Sequence, residues 1–329
     1  MLTTRQNLLE VIKGGNPDRF IKQYEAFKIV GGDPVGANNP RATKGGPNII
    51  DNWGVTRSFP ANVPAAFPVH DEEHKVVKDV TKWKEVVKAP KLDYPESDWQ
   101  TLKANAEAVD RNEYFCTVFR APGIFEQLHH LMGIDSALMN FYEEPEAMHE
   151  LIDYIVDWML RYAELIVKYA HPDAIFHHDD WGSQISSFMS PEMFQEFIVP
   201  GFKKVYGYYK ANGVQLIVHH SDSYAANLVP YMIEMGIDIW QGAMSTNDIP
   251  ALIKQYGSQI TFMGDIDNGI VDREDWTYEK IKEEVAKSCK RCGKLYFIPS
   301  TTMGLPESLY KGVYDAVNDA IDEMSKEMF

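Results

Sequence analysis

Three apolar, strand-like runs in this chain each finish in a knot of His, Asp or Trp: AIFHHDDWGSQ (174–184), QLIVHHSDSY (215–224) and ITFMGDID (260–267). Imidazoles and carboxylates are the side chains that move protons near neutral pH and hold divalent cations. Six of them, His177, His178, Asp179, Asp180, His219 and His220, crowd two strand ends, a density that points to an enzyme. Side chains alternate along a strand, so Ile217, His219 and Ser221 share one face while His220 and Asp222 take the other. The expectation is that His219 faces a common cavity, with Asp180, Asp222 and Asp265 as the acidic groups around it. His219 with Asp180 is also the pair expected to hold a metal ion. His178, Trp181, Tyr224, Trp240, Gln241, Phe262 and Asp267 are the expected substrate contacts. Two of these have a structural alternative: Trp240 as core, and Asp267 as the cap of the turn it begins.

Something must hold these strand ends together. Each knot is followed by a helical stretch, and strand–helix alternation recurs about eight times: strands at 23–30, 114–123 and 294–300 join those above and GIDIWQGAM, and a helix closes the chain from about 308 to 328. That pattern predicts a (β/α)8 TIM barrel with an N-terminal helical/loop extension, the whole of 1–329 forming one domain; a doubly wound open sheet is the alternative. Residues 3–15 read as a short amphipathic helix stopped by Gly14 and Gly15. Residues 31–70 are rich in Gly, Pro and Asn and carry Trp53, Phe59, Phe67 and His70, which suits a lid-like irregular segment or a surface loop pinned by its own aromatics.

Composition narrows the classes. The 329 residues are 45% hydrophobic and 24% charged, ordinary for a globular enzyme. A net charge of −16 repels phosphate backbones and anionic lipid, so neither nucleic acid nor membrane is an expected partner. No apolar run approaches the roughly 20 residues that span a bilayer. Three cysteines and no visible secretory leader at Met1–Asn7 fit a cytoplasmic protein. Cys289 and Cys292 form a lone CxxC with no second pair. There is no P-loop, no GxGxxG after a strand and no GxSxG.

The stretch DDWGSQISSFMSPEMFQEFIVPGFKKVYGYYKANG, then a strand into His, VPYMIEMGIDIWQG and GSQITFMGDID, resembles the uroporphyrinogen decarboxylase superfamily over most of the chain, with GGNPDRF (14–20) as a weaker echo. The resemblance implies a (β/α)8 barrel and two branches of chemistry. Decarboxylases of that superfamily carry an N-terminal WxMRQAGRY-like segment whose arginines bind substrate carboxylates; here FIKQYEAFKIVGG has no such pair. Corrinoid-dependent methyltransferases that activate thiols carry a zinc site built from H-x-C and a later Cys. His219-His220-Ser221 stands where H-x-C would be, and IPSTTMG, with Ser300 and Thr301, stands near the later Cys. The thiolates are absent, and a hydroxyl is a poor Zn²⁺ ligand; a zinc site of His219 with Asp222, Asp180 or Asp265 remains open.

A methyl ether donor needs a proton or Lewis acid on its departing oxygen rather than a thiolate. The resemblance therefore implies a methyltransferase of O-demethylase type. It would move a methyl group from a small O-methyl donor, such as a methoxylated aromatic, to a corrinoid (cobalamin) carried by a partner protein. A homodimer is left open. The alternatives are a decarboxylase, of uroporphyrinogen type or for a smaller acid, a metal-dependent hydrolase, and a binding protein without turnover.

Overall fold

The computed structural model describes residues 1–63, 65–303 and 306–329. Its strands in chain order are β1 (Phe27–Val30), β2 (Ile49–Ile50), β3 (Thr56–Ser58), β4 (Phe67–Pro68), β5 (Phe115–Arg120), β6 (Ala174–His178), β7 (Leu216–His220), β8 (Ile239–Ala243), β9 (Thr261–Asp265) and β10 (Phe297–Ser300). Seven of them form one parallel sheet in the order β1-β5-β6-β7-β8-β9-β10, while β2, β3 and β4 form a small antiparallel sheet. The barrel-like fold agrees with expectation, but the strand count does not: among the described residues the parallel sheet has seven strands, not eight. Among the described residues, seven runs enter it. The Gly- and Pro-rich stretch after β1, where an eighth unit would have to arise, builds the antiparallel sheet instead. Between the edge strands β1 and β10, the buried Gln23 amide donates to the Met303 carbonyl at 2.7 Å.

The sheet is apolar on both faces, as a parallel sheet covered on both sides must be. One set of side chains (Phe27, Phe115, Ala174, Phe176, Leu216, Val218, Ile239, Met263, Ile298) meets inside the curve of the sheet. Leu8 and Val11 of the N-terminal helix Thr4–Lys13 join that cluster. The Thr3 capping box starts this helix, and Gly14 at φ 68° ends it. Arg5 Nη1 donates to the Tyr114 carbonyl and Tyr296 N–H to the Val11 carbonyl, which fastens the helix across the strands' N-terminal ends. The opposite set, including Cys116, Val118, Ile175, Ile217, Trp240, Phe262 and Phe297, packs against the outer helices.

The helices Ile124–Met132, Ile134–Glu143 and Pro145–Ala170 link β5 to β6, and single helices or helix pairs link later strands. The second and third of these helices are divided at Pro145, which fits the first turn of Pro145–Ala170 but not the last turn of Ile134–Glu143. The 31–70 segment, of which Pro64 lies outside the described residues, is pinned rather than loose. Trp53 is buried against Trp158 with ring centroids 5.1 Å apart. Asp51 accepts from the N–H groups of Trp53 and Val55 and from Arg57 Nε.

Candidate active site

Strand register decides what faces the cavity. His178 on β6 pairs with His220 on β7, and His220 pairs with Gln241 on β8. These three continue the inward parity of Phe176, Val218 and Ile239. The neighbouring row, His177, His219, Trp240 and Phe262, is equally in register and faces the helices. His219 therefore does not point into the cavity, contrary to expectation. It is fully buried, hydrogen-bonded through Nδ1 to the Tyr206 hydroxyl at 2.7 Å and stacked on Trp181 at 4.0 Å. Burial, with His177 adding, drives its imidazole well below its ordinary basicity.

The inward histidines form a different pair. Their rings stack with centroids 4.3 Å apart. His178 Nδ1 donates to Glu126 Oε2 at 2.9 Å. His220 Nδ1 donates to the Gln241 side-chain carbonyl, whose orientation is set because the Gln241 amide donates to the Met303 carbonyl at 3.2 Å. Both Nδ1 atoms are thus engaged, which leaves each Nε2 for a ligand. Asp180 Oδ1 lies 3.6 Å from His220 Nε2 and accepts the Asp222 N–H at 2.9 Å.

The charges of the pair diverge. Burial pushes His178 down, but the Glu126 carboxylate, with Asp180 and Asp179 adding, more than reverses this and holds it up at about 9. His220 is pushed down to about 4, first by burial and then by the charge on His178. A protonated and a neutral imidazole are thereby stacked face to face, the arrangement that separates acid from acceptor within one site. Burial also raises Glu126 against the pull of His178. Asp222, largely shielded and near Asp180, is pushed up to about 7.

Glu126 carries no warning in the sequence. It sits in the first turn of Ile124–Met132, where an acidic residue reads as a helix-dipole partner. Asp179 brings that turn to the cavity: it accepts the N–H groups of Phe125 (3.0 Å) and Glu126 (2.7 Å) and Trp181 Nε1 (3.0 Å). Gly123 permits this approach, because a Cβ there would fall 2.3 Å from the Asp179 Cβ.

The other expected residues divide. Asp180, Asp222, His178 and Gln241 gather at the cavity. Trp181, Trp240 and Phe262 are fully buried on the helix side and make no lining; the Trp240 indole donates to the Ser221 carbonyl at 2.9 Å. Asp265 turns outward at φ 71°, binding Arg291, the Ser288 hydroxyl and Cys292 on the helix Tyr278–Cys292. It is a buried counter-charge rather than a member of the cluster, which corrects its expected place. Asp267 caps the turn Asn268–Val271, accepting the Gly269 N–H at 2.8 Å. Tyr224 lies half-buried in the loop after β7, its N–H bound to the Ser183 carbonyl.

His178, Asp180 and His220 present ligand atoms within 4.8 Å of one another, so the donor set near a metal is two imidazoles and a carboxylate without sulfur. This suits a borderline divalent ion such as Zn²⁺ in kind and spacing. The expected pairing of His219 with Asp180 is replaced by His220 with Asp180, and the strand-end triplet comparable to H-x-C becomes His220-Ser221-Asp222. A second group, Glu126, His129 and His130, is less suited to a cation. Arg57 Nη2 donates to His130 Nδ1 at 3.0 Å, and burial together with that guanidinium depresses His130.

No helix among the described residues is long and apolar enough to cross a membrane. Comparison with curated proteins finds no match. Among solved structures, a methyltransferase from Methanosarcina mazei is similar over 98% of this chain and 99% of its own, at 15% identity and a TM-score of 0.65, which carries the fold. A structure described as a fructose-1,6-biphosphate aldolase from Coccidioides immitis covers 70% of this chain and 72% of its own at 12% identity, with a TM-score of 0.31, too low to bear on the argument. The family model for uroporphyrinogen decarboxylase (URO-D) matches residues 67–323, from β4 into the last helix, and so takes in every strand of the parallel sheet except β1. On that span, the chain belongs to the uroporphyrinogen decarboxylase family.

Proposed function

We propose that this protein is a methyltransferase that takes a methyl group from a small O-methyl donor, a methoxylated aromatic among them, and passes it to a corrinoid carried by a partner protein. The observation that carries the reading is the inward pair: His178 bound to Glu126 and His220 bound to Gln241, their rings stacked and no sulfur beside them. When a methyl–oxygen bond breaks with the methyl group leaving to a nucleophile, the oxygen departs with the bonding electrons and needs a proton. His178 supplies it from Nε2, while Glu126 at Nδ1 steadies the imidazolium beforehand and sets its orientation. His220, held neutral with Gln241 on Nδ1, offers its Nε2 lone pair to a hydroxyl or water beside the same oxygen. The apolar inner layer below excludes water from the step.

A metal ion would be held by His220, Asp180 and His178, the last after losing its proton, with Glu126 and Gln241 behind the two imidazoles. Bound there, it would act as a Lewis acid on the ether oxygen in place of the proton. The loops after β6, β9 and β10, at the cavity's end of the sheet, expose Ile185, Ile270, Leu309 and Tyr310, an apolar rim suited to a docking corrinoid protein. A decarboxylase of a porphyrinogen would need an arginine pair for the substrate carboxylates, which FIKQYEAFKIVGG (20–32) lacks.

The test is to mix the protein with reduced corrinoid protein, or reduced cobalamin, and a panel of methyl ethers. Absorbance of methylcobalt is then followed. Formation with a methyl ether supports the reading. No methylcobalt with any donor, together with CO₂ loss from a carboxylic acid, reverses it in favour of a decarboxylase.

A further inference from the structure

A cavity of about 220 Å³ opens at the C-terminal end of β5. Its aromatic walls are Trp53, Phe119, Trp158 and Tyr162, and its polar groups are unevenly matched. Gln127 is 2% exposed, and its side-chain nitrogen is buried without a partner. The Arg120 guanidinium lies over the Tyr162 ring, 3.7 Å from its centroid, with no carboxylate at ion-pair distance among the described residues. The two lining carboxylates are already taken. Asp51 accepts two backbone N–H groups and Arg57, and Asp33 accepts the Gly36 N–H and the Tyr162 hydroxyl.

What remains is the unpaired Gln127 amide nitrogen and an Arg120 guanidinium that meets Tyr162 but no carboxylate at ion-pair distance. Leaving a buried amide nitrogen unpaired costs about 1–3 kcal/mol, which a ligand with acceptor oxygens removes. A carboxylate meets a guanidinium through two parallel hydrogen bonds. Flat aromatic walls select a ring, and about 220 Å³ falls below the range usual for drug-sized ligands, so one ring fits and a tetrapyrrole does not. We propose that this cavity anchors the carboxylate of a single-ring aromatic acid, with Arg120 and Gln127 as the anchoring residues. It lies beside the histidine site. Phe119 lines it while its ring lies 6.5 Å from that of His178, and Gln127 follows Glu126 in the chain. A ring held by its carboxylate here directs a substituent on its far side toward His178. The subsite thus deepens the methyl-transfer reading and rests on it for what becomes of the ligand, not for whether it binds: the donor is a methoxylated aromatic carboxylate.

The experiment is calorimetric binding of 4-methoxybenzoate and of neutral 4-methoxybenzamide to the wild type, Arg120→Met and Gln127→Leu, with no corrinoid present. The wild type is expected to prefer the carboxylate by about 30-fold or more. Arg120→Met should erase that preference and leave the amide within about 3-fold. Gln127→Leu should weaken the carboxylate by about 5-fold and raise the melting temperature of the free protein, since it removes an orphan donor. If Arg120→Met does not fold, Gln127→Leu decides. Equal affinity for the two compounds, binding of neither, or unaltered carboxylate affinity in the folded variants overturns the subsite. Carboxylate-selective binding without methyl transfer would overturn the methyltransferase reading alone; methyl transfer without carboxylate selectivity would overturn the subsite alone.

Discussion

Glu126→Gln isolates the charge that keeps His178 protonated. The glutamine can still accept from His178 Nδ1, so geometry and tautomer persist and only the negative charge goes. In the wild type the His178 imidazole rises from its ordinary 6.5 to about 9. That is about 3 kcal/mol of preference for the protonated form, at a side chain 25% exposed. Without the carboxylate, burial and Asp180 are left opposed, and burial is the larger influence. The imidazole should then fall below its ordinary value. His178 in the folded wild type is protonated below about 9, so methyl transfer should hold through neutrality and fall as pH rises through about 9. In Glu126→Gln the fall should move to acid pH, with at least about a tenfold loss at pH 8. The stabilisation from this group follows the same sense: complete below the unfolded imidazole value, lost as pH climbs through the folded one. The upward push of burial on Glu126 works against it, so the net change is smaller than His178 alone indicates. Nitrogen-15 NMR of the imidazoles reads the protonation directly. A wild-type His178 that titrates below neutrality, or titrates alike in the two proteins, refutes the reasoning.

Three further outcomes follow. His219→Ala should cost about 2–4 kcal/mol in a denaturant titration, since it opens a cavity and strands the Tyr206 hydroxyl, with no change in the pH at which methyl transfer falls. Gly123→Ala should force the first turn of Ile124–Met132 away from Asp179, costing about 1–3 kcal/mol and lowering methyl transfer because Glu126 moves with it; denaturant midpoint and rate should fall together. Asp265→Asn should destabilise by about 2 kcal/mol, less than a fully buried ion pair because Arg291 is 35% exposed and can rehydrate, and should leave the affinity for 4-methoxybenzoate unchanged.

The barrel-like architecture was legible because strand and helix periods alternate clearly, and the clustering of His and Asp marked the correct strand ends. What could not be read was parity. In a sheet buried on both faces the flanking residues are apolar in either direction, so Ile217 and Val218 give no sign of which of His219 and His220 turns inward. One residue of ambiguity moved the site from His219, Trp240 and Phe262 to His178, His220 and Gln241. Asp265 misled for a related reason: after Gly264 at φ 152° the strand leaves regular alternation. Arg57, Glu126 and Arg120 were invisible as a group because they come from β3, a helix start and the end of β5, which only the tertiary fold brings together.

Single-turnover methyl transfer to the reduced corrinoid protein, compared among His178→Gln, His220→Gln and His219→Gln at matched folded fraction, tests the inward pair most directly. The account predicts that the first two lose about 10²-fold or more, while His219→Gln loses stability and keeps its rate. Loss confined to His219→Gln, with His178 and His220 dispensable, would contradict it.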